Sequence, residues 1–376
     1  MSETAEKKKM KKPIKIALIV LLCAVLVTGL VFAGLAVARA VEINSIEDLT
    51  VAGNYKNVIL LIGDGMGFNH IAAARAYLGV ERLFMESAAV VSGEATTYSR
   101  TIIGPTDSAA AATALATGQK TDNGMIAQYL GKDLKSNTEY AMEQGMATGV
   151  IASEGVKGAT PAGFSAHVFN RNSTDEITRD QLAGGIDLFL GGAKDFYDDY
   201  AADIAANGYD YVTSASALSA DSDKIWGAFA DVSTSDGTDA APTLAELSVF
   251  AMQYLSAKSE NGFFLMIEES HIDKRSHSND MAGMLEHLVA YDNTIKAVVQ
   301  LAEEMGDTLV IATADHETGG LQYNGESGEE LSDKMFTKGS HSTANVPFFV
   351  YGSIGEIPSI IDNTQIARIC RTYILR

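Results

Sequence analysis

Three short apolar runs in this chain each stop at an acid, and that pattern constrains the fold more than any other feature. Val58–Ile62 leads into Gly63-Asp64-Gly65, Phe263–Ile267 into Glu268, and Leu309–Thr313 into Ala314-Asp315-His316. Runs this short and rich in Val, Ile, Leu and Phe read as strands buried on both faces, as in parallel sheets covered by helices. Gly149–Ala152, Ile186–Leu190 and Pro347–Tyr351 read the same way, with longer helical patterns between them. Between Asp280 and Met305, Met281, Leu285, Leu288, Tyr291, Ile295, Val298, Val299 and Ala302 recur close to every 3.6 residues, predicting an amphipathic crossover helix. The expected fold is α/β, a mostly parallel central sheet flanked by helices on both faces, in one domain over residues 57–376. Residues 195–245, rich in Asp, Ala, Ser and Tyr without a clear period, read as helical surface decoration.

The first 56 residues obey a different logic. No charge interrupts Ile16–Ala38, and a helix of that length spans a bilayer core of roughly 30 Å. Residues 1–15 hold a lysine cluster, so the positive-inside rule keeps them cytoplasmic and sends everything beyond Arg39 outside. The run reads as an uncleaved membrane anchor followed by a linker over residues 39–56. Its rival is a cleaved signal peptide ending at Ala36-Val37-Ala38 or Ala38-Arg39-Ala40, which would make the protein secreted. Length favours the anchor, since secretory apolar cores run about 7–15 residues. Residues 1–40 carry seven basic and two acidic side chains, net +5, so the remainder bears −25 against −20 for the whole chain. So acidic a body excludes nucleic acid as a charge-matched partner, and an anionic substrate would need a local cation. Cys23 falls in the apolar run and Cys370 near the C-terminus, so neither a disulfide within the outer domain nor cysteine-ligated zinc is expected.

Ligands of open α/β sheets bind beyond the carboxyl ends of the strands. Bringing Asp64, Glu268, Asp315 and His316 together there concentrates negative charge that only cations offset. Asp273 and His277 follow Glu268 at a spacing that puts them near the same ends, and His341 precedes the last apolar strand. Imidazole with carboxylate and no sulfur suits catalytic zinc, and all-oxygen positions suit magnesium. Each residue alone reads more simply as a cap or a surface group; the set at equivalent strand ends does not. Thr106-Asp107 before Ser108 and four alanines predicts a helix whose first turn carries Ser108, where unpaired N–H groups favour an anion. A serine there can act as a nucleophile if a metal lowers its hydroxyl pKa. Arg171 offers a planar fork for two phosphate oxygens.

In chain order, these motifs are Ile62 to Gly67, Thr106-Asp107-Ser108-Ala109-Ala110, Ala159-Thr160-Pro161-Ala162, Ala166-His167 to Arg171, Phe264 to Glu268 with Ile272-Asp273-Lys274 and His277, Ala314-Asp315-His316-Glu317, and His341. The series, from Asn57 to about Tyr351, resembles the alkaline phosphatase family. The resemblance implies a phosphate monoester hydrolase with two zinc ions, one magnesium ion and a phosphoserine intermediate. It implies Ser108 as nucleophile, Arg171 as phosphoryl clamp and Lys274 as a water-mediated phosphate contact. Asp273, His277 and His341 would hold one zinc; Asp64, Asp315 and His316 the other; Asp64, Thr160 and Glu268 the magnesium. Relatives suggest a homodimer.

Departures qualify that picture. The position two before Thr160, an Asp or His in many members, is Gly158, next to Lys157, which predicts weaker or altered binding of the third metal. His271 stands where another residue is common, and it reads as an ordinary polar side chain. His70 and His287 read as structural or exposed, and His167 as support for the Arg171 loop. The segment between His316 and His341 is short. A sulfatase is disfavoured because Ser108 to Ala112 lacks the required proline and arginine. A phosphodiesterase of the same superfamily, or a silent metal- or phosphate-binding surface protein, remain the alternatives to a phosphomonoesterase.

Overall fold

A computed structural model describes residues 12–45, 47–323, 325 and 330–376. Most of the basic tail read at residues 1–15 lies outside these. The chain divides into two compact units, residues 1–46 and 47–376. Among the described residues, the first holds the helix Lys12–Asn44, of 33 residues. The most apolar 18-residue window of its Val20–Asn44 segment has mean hydropathy 2.7 and holds no buried residue, and among the described residues this segment alone is long and apolar enough to cross a membrane. The helix runs past the expected end at Ala38 because nothing breaks it there: neither Gly nor Pro follows before Asn44, and Arg39 pairs with Glu42 one turn on at 2.8 Å.

The second unit begins earlier than Asn57. Val51 is buried, the Ala52 amide donates to the Ile354 carbonyl at 2.9 Å, and the Tyr55 ring packs edge-on against Tyr373. What composition read as linker is therefore in part a strap on the folded body, its apolar side chains too few and scattered to show a period.

Ten strands form one sheet in the order 360–362, 91–96, 346–351, 308–313, 57–63, 263–269, 147–152, 188–191, 225–228, 210–212. Asn57–Gly63 lies at the centre, parallel to Thr308–Thr313 and to Phe263–Glu269, with Ile62 opposite both Thr313 and Glu268. Phe263–Glu269 pairs in parallel with Ala147–Ala152, which places Ala152 beside Glu268. These four strands are buried throughout. Helices Leu244–Lys258 and Met281–Met305 pack on one another, and Ser108–Thr117 packs on Ala159–Ser165 and Asn363–Ile374. Asp280 caps the expected crossover helix by accepting from the Gly283 amide, and Gly306 ends it in the left-handed region at φ 79°. Both cysteines are free, Cys370 in the core.

One strand departs from the parallel majority, and one expectation needs correction. Val346–Tyr351 is antiparallel to its neighbours Thr308–Thr313 and Val91–Thr96. The stretch 195–245 is not only helical decoration: Asp210–Val212 and Ile225–Ala228 extend the sheet. Its anchor is Trp226, fully buried, with its ring 4.5 Å from Phe189, 5.3 Å from Tyr197 and 5.6 Å from Tyr209. A four-residue strand inside an Asp- and Ser-rich segment is too short to impose a period on its surroundings.

Candidate active site

Because the central strands are parallel, their carboxyl ends share one edge of the sheet, and chain leaving that edge carries Asp64, Ser153, Glu268 and Asp315. Gly65, at φ 78°, makes the tight turn after the first strand. Its amide donates to Asp315 Oδ1 at 3.0 Å, and the His316 amide donates to the same oxygen at 2.8 Å. Asp315 Oδ2 is thereby aimed inward; it and Asp64 Oδ1 are buried without a hydrogen-bond partner.

The histidines show what such atoms face. His277 Nδ1 lies 3.0 Å from the Gly339 carbonyl and His341 Nδ1 2.9 Å from the Thr106 carbonyl, so each Nδ1 carries a proton to donate. Both Nε2 atoms then present lone pairs, yet they sit 3.1 Å apart. Only a proton or a metal ion reconciles them. Without a metal the proton is held tightly: bonding to Asp273 raises the His277 pKa to about 9. Asp273 Oδ2 lies 3.3 Å from His277 Nε2 and its Oδ1 3.6 Å from His341 Nε2.

A second convergence centres on fully buried His316. Its Nδ1 lies 3.2 Å from Thr318 Oγ1, whose own hydrogen goes to Asp273 Oδ1. Nε2 is thus the lone-pair atom, 3.2 Å from Ser108 Oγ, 3.1 Å from Asp315 Oδ2 and 3.6 Å from Asp64 Oδ1. Asp64, Asp273 and His316 place donor atoms within 4.8 Å of one another, as do Asp273, His277 and His341.

Ser108 opens the helix Ser108–Thr117. Asp107 caps it, accepting from the Ala110 amide at 3.0 Å with one oxygen, and with the other from the Gly124 amide at 2.9 Å and Arg171 Nη1 at 3.0 Å. That pairing holds the guanidinium near the Ser108 turn. Glu268 accepts from Ser270 Oγ at 2.6 Å, and Thr160 Oγ1 is buried and unpartnered. Lys274 is turned outward onto Glu154.

The electrostatics match a site short of positive charge. Burial, then Asp315, Asp273 and Glu268, push the Asp64 pKa well up. Burial chiefly raises Asp315 to about 6 and Glu268 to about 7. Burial lowers His316 to about 4. Asp64, Asp315 and Glu268 would take up protons and His316 would shed its own, as in a pocket shaped for cations, while Asp273 and His277 stabilise one another's charge. Nitrogen and oxygen donors without sulfur, together with the orphaned atoms of Asp64, Asp315 and Thr160, fit the metal ions that the sequence implied.

Sequence reading missed Thr318, the hydroxyl that joins the two histidine groups, and Glu154. Both left a signal. Thr318 is two residues past His316, the spacing that returns a side chain to the same face of an extended segment. Glu154 lies two residues past a fourth strand end, where an acid could have been sought as at the other three.

The family model described as alkaline phosphatase matches residues 55–353. Alkaline phosphatase 4 of Bacillus subtilis is 36% identical over 302 residues, 73% of this chain and 64% of that protein, so the chain spans a little under two thirds of its length. Alkaline phosphatase of Escherichia coli is 33% identical, covering 69% of this chain and 70% of that one. The structure of alkaline phosphatase from the Antarctic bacterium TAB5 superposes with a TM-score of 0.73 at 30% identity, over 86% of this chain and 98% of the other. A mutant of that enzyme, with one histidine replaced by glutamate, has magnesium bound in its M3 site and superposes with a TM-score of 0.72 at 30% identity over the same shares of the two chains. The shared sheet, the ordered motifs and these matches make the chain a member of the alkaline phosphatase family.

Proposed function

We propose that the chain hydrolyses phosphate monoesters through a phosphoserine at Ser108, outside the cytoplasm, anchored by its N-terminal helix. The observation that carries this reading is the position of Ser108 Oγ: at a helix N-terminus, 3.2 Å from a His316 Nε2 lone pair, with Arg171 tethered alongside through Asp107.

Asp273, His277 and His341 would hold one zinc, Asp64, Asp315 and His316 a second, and Asp64, Thr160 and Glu268 a magnesium. When bound, these ions supply Lewis-acid stabilisation of developing oxyanions and lower the pKa of coordinated hydroxyl and water. The chain's own groups do the rest. Ser108 Oγ attacks phosphorus, the Oγ–P bond forms as the ester P–O bond breaks, and the alcohol departs with a proton. Water then attacks the phosphoserine; its oxygen bonds phosphorus as the Ser108 Oγ–P bond breaks, returning the hydroxyl and releasing inorganic phosphate. Arg171 would bind two nonbridging oxygens through both steps, and the N–H groups of the first helical turn would face the same charge. Gly158 supplies no side chain to the third site, while Glu154, which already raises the Glu268 pKa, brings a negative charge nearby.

The test is turnover of p-nitrophenyl phosphate by the full chain in detergent with zinc and magnesium, beside bis(p-nitrophenyl) phosphate and the Ser108→Ala variant. Monoester turnover that exceeds diester turnover and vanishes in the variant is the expected result. Metal-loaded wild type without turnover would overturn the enzyme reading, and preferential diester turnover would overturn the monoester assignment.

A further inference from the structure

Glu269 follows Glu268 on the same strand, and because successive strand residues point to opposite faces, its side chain leaves the pocket just described. It is 2% exposed. Its Oε1 atom lies 3.1 Å from His287 Nδ1 and 3.6 Å from His271 Nδ1, and it accepts from Ser153 Oγ and the His271 amide, each at 3.0 Å. Ser153 Oγ is also 3.2 Å from His271 Nδ1. The three donor atoms of Glu269, His271 and His287 lie within 4.8 Å of one another. His287 is 8% exposed, and its buried Nδ1 makes no hydrogen bond although it lies 3.1 Å from the carboxylate, so this atom is left without a satisfied partner. Neither histidine has a part in the phosphoryl chemistry above.

We infer that Glu269, His271 and His287 form a further binding site for a zinc-like divalent ion, with Ser153 or water completing it. Two imidazoles and one carboxylate are the donor set of zinc rather than of magnesium or calcium, which prefer oxygen throughout. Tetrahedral zinc with bonds near 2.1 Å holds its donors roughly 3.4 Å apart, and the two histidine separations from Glu269 Oε1 bracket that spacing. An ion here would join three elements: the end of the strand Phe263–Glu269, the first turn of the helix His271–His277 that carries Asp273 and His277, and the long helix Met281–Met305.

Two measurements on the full chain in detergent test the site. After chelator stripping and dialysis against a small molar excess of Zn2+, mass spectrometry should count one zinc fewer per chain in His271→Ala/His287→Ala than in wild type. Crystals of the wild type prepared the same way should show a zinc-edge anomalous peak bonded to Glu269, His271 and His287. An equal count in the folded variant, or no peak in the wild type, overturns the inference; if the variant does not fold, the peak alone decides. Monoester turnover reports on the other cluster, so an inactive protein with this peak would refute the phosphatase reading and leave the site standing.

Discussion

Thr318 offers a sharp test of how the two histidine groups act as one centre. Its hydroxyl donates to Asp273 Oδ1 and accepts from His316 Nδ1 at 3.2 Å, both within a buried pocket. Thr318→Val keeps the shape and removes the hydroxyl. The fully buried His316 Nδ1–H then loses its acceptor, and leaving such a group unsatisfied costs about 1–3 kcal/mol. The ring can escape that cost by moving its proton to Nε2, which occupies the lone pair facing Ser108, Asp64 and Asp315. Either way the penalty falls on cation binding, and it matches the 10–100-fold loss, about 1.4–2.7 kcal/mol, typical when a group orienting a metal-bound histidine is removed. The assay is zinc affinity by chelator competition, with monoester turnover read against free zinc. Thr318→Val should need about 10–100-fold more zinc for half-maximal turnover, and Thr318→Ser should restore most of the loss. Wild-type zinc dependence in Thr318→Val would refute the argument that this hydroxyl fixes the His316 tautomer.

Other expectations rest on separate features. Gly65→Ala places a Cβ 2.7 Å from Asp273 Cα at a backbone φ of 78°, so it should lower stability by more than about 2 kcal/mol and weaken zinc binding, read from urea midpoints and chelator competition; an unaltered midpoint would contradict the packing. Trp226→Ala should cost about 3–5 kcal/mol, whereas surface decoration at this position would leave the urea midpoint nearly unchanged. Glu154→Gln removes a half-exposed partner of Lys274, so stability should shift by less than about 1 kcal/mol. The same change should raise the magnesium needed for half-maximal turnover by about tenfold, as charge near Glu268 is lost. His167 has its pKa raised from 6.5 to about 9, since burial, which opposes the charge, is outweighed by its bond to Glu139 at 3.1 Å. The folded state therefore binds that proton more tightly; its contribution is complete below about pH 6.5 and is lost as pH rises through about 9. The stability difference between wild type and His167→Gln should shrink by about 1 kcal/mol across that window, allowing for solvent screening of a partly exposed pair. A constant difference would exclude the ion pair.

Sequence alone determined the class of fold and the edge of the sheet at which Asp64, Glu268 and Asp315 gather. Apolar runs such as Val58–Ile62 and Phe263–Ile267 must be buried on both faces, and the acids ending them mark the sheet edge where ligands bind. The alanine-rich segment after Asp107 could form little but a helix, so Ser108 had to lie at its N-terminus. These are local consequences of period, propensity and burial. Arrangements set by long-range register were decided only in three dimensions. The 3.1 Å approach of His277 to His341 requires the pairing of Thr318 with His341, a contact that no local pattern encodes. The burial of Trp226 depends on Phe189, Tyr197 and Tyr209, all distant from it in sequence. His271 and His287, unremarkable when read separately, meet on Glu269 because the long helix returns across the strand end. Local pattern determines which face of an element a side chain occupies; what stands opposite that face depends on which elements pack against it.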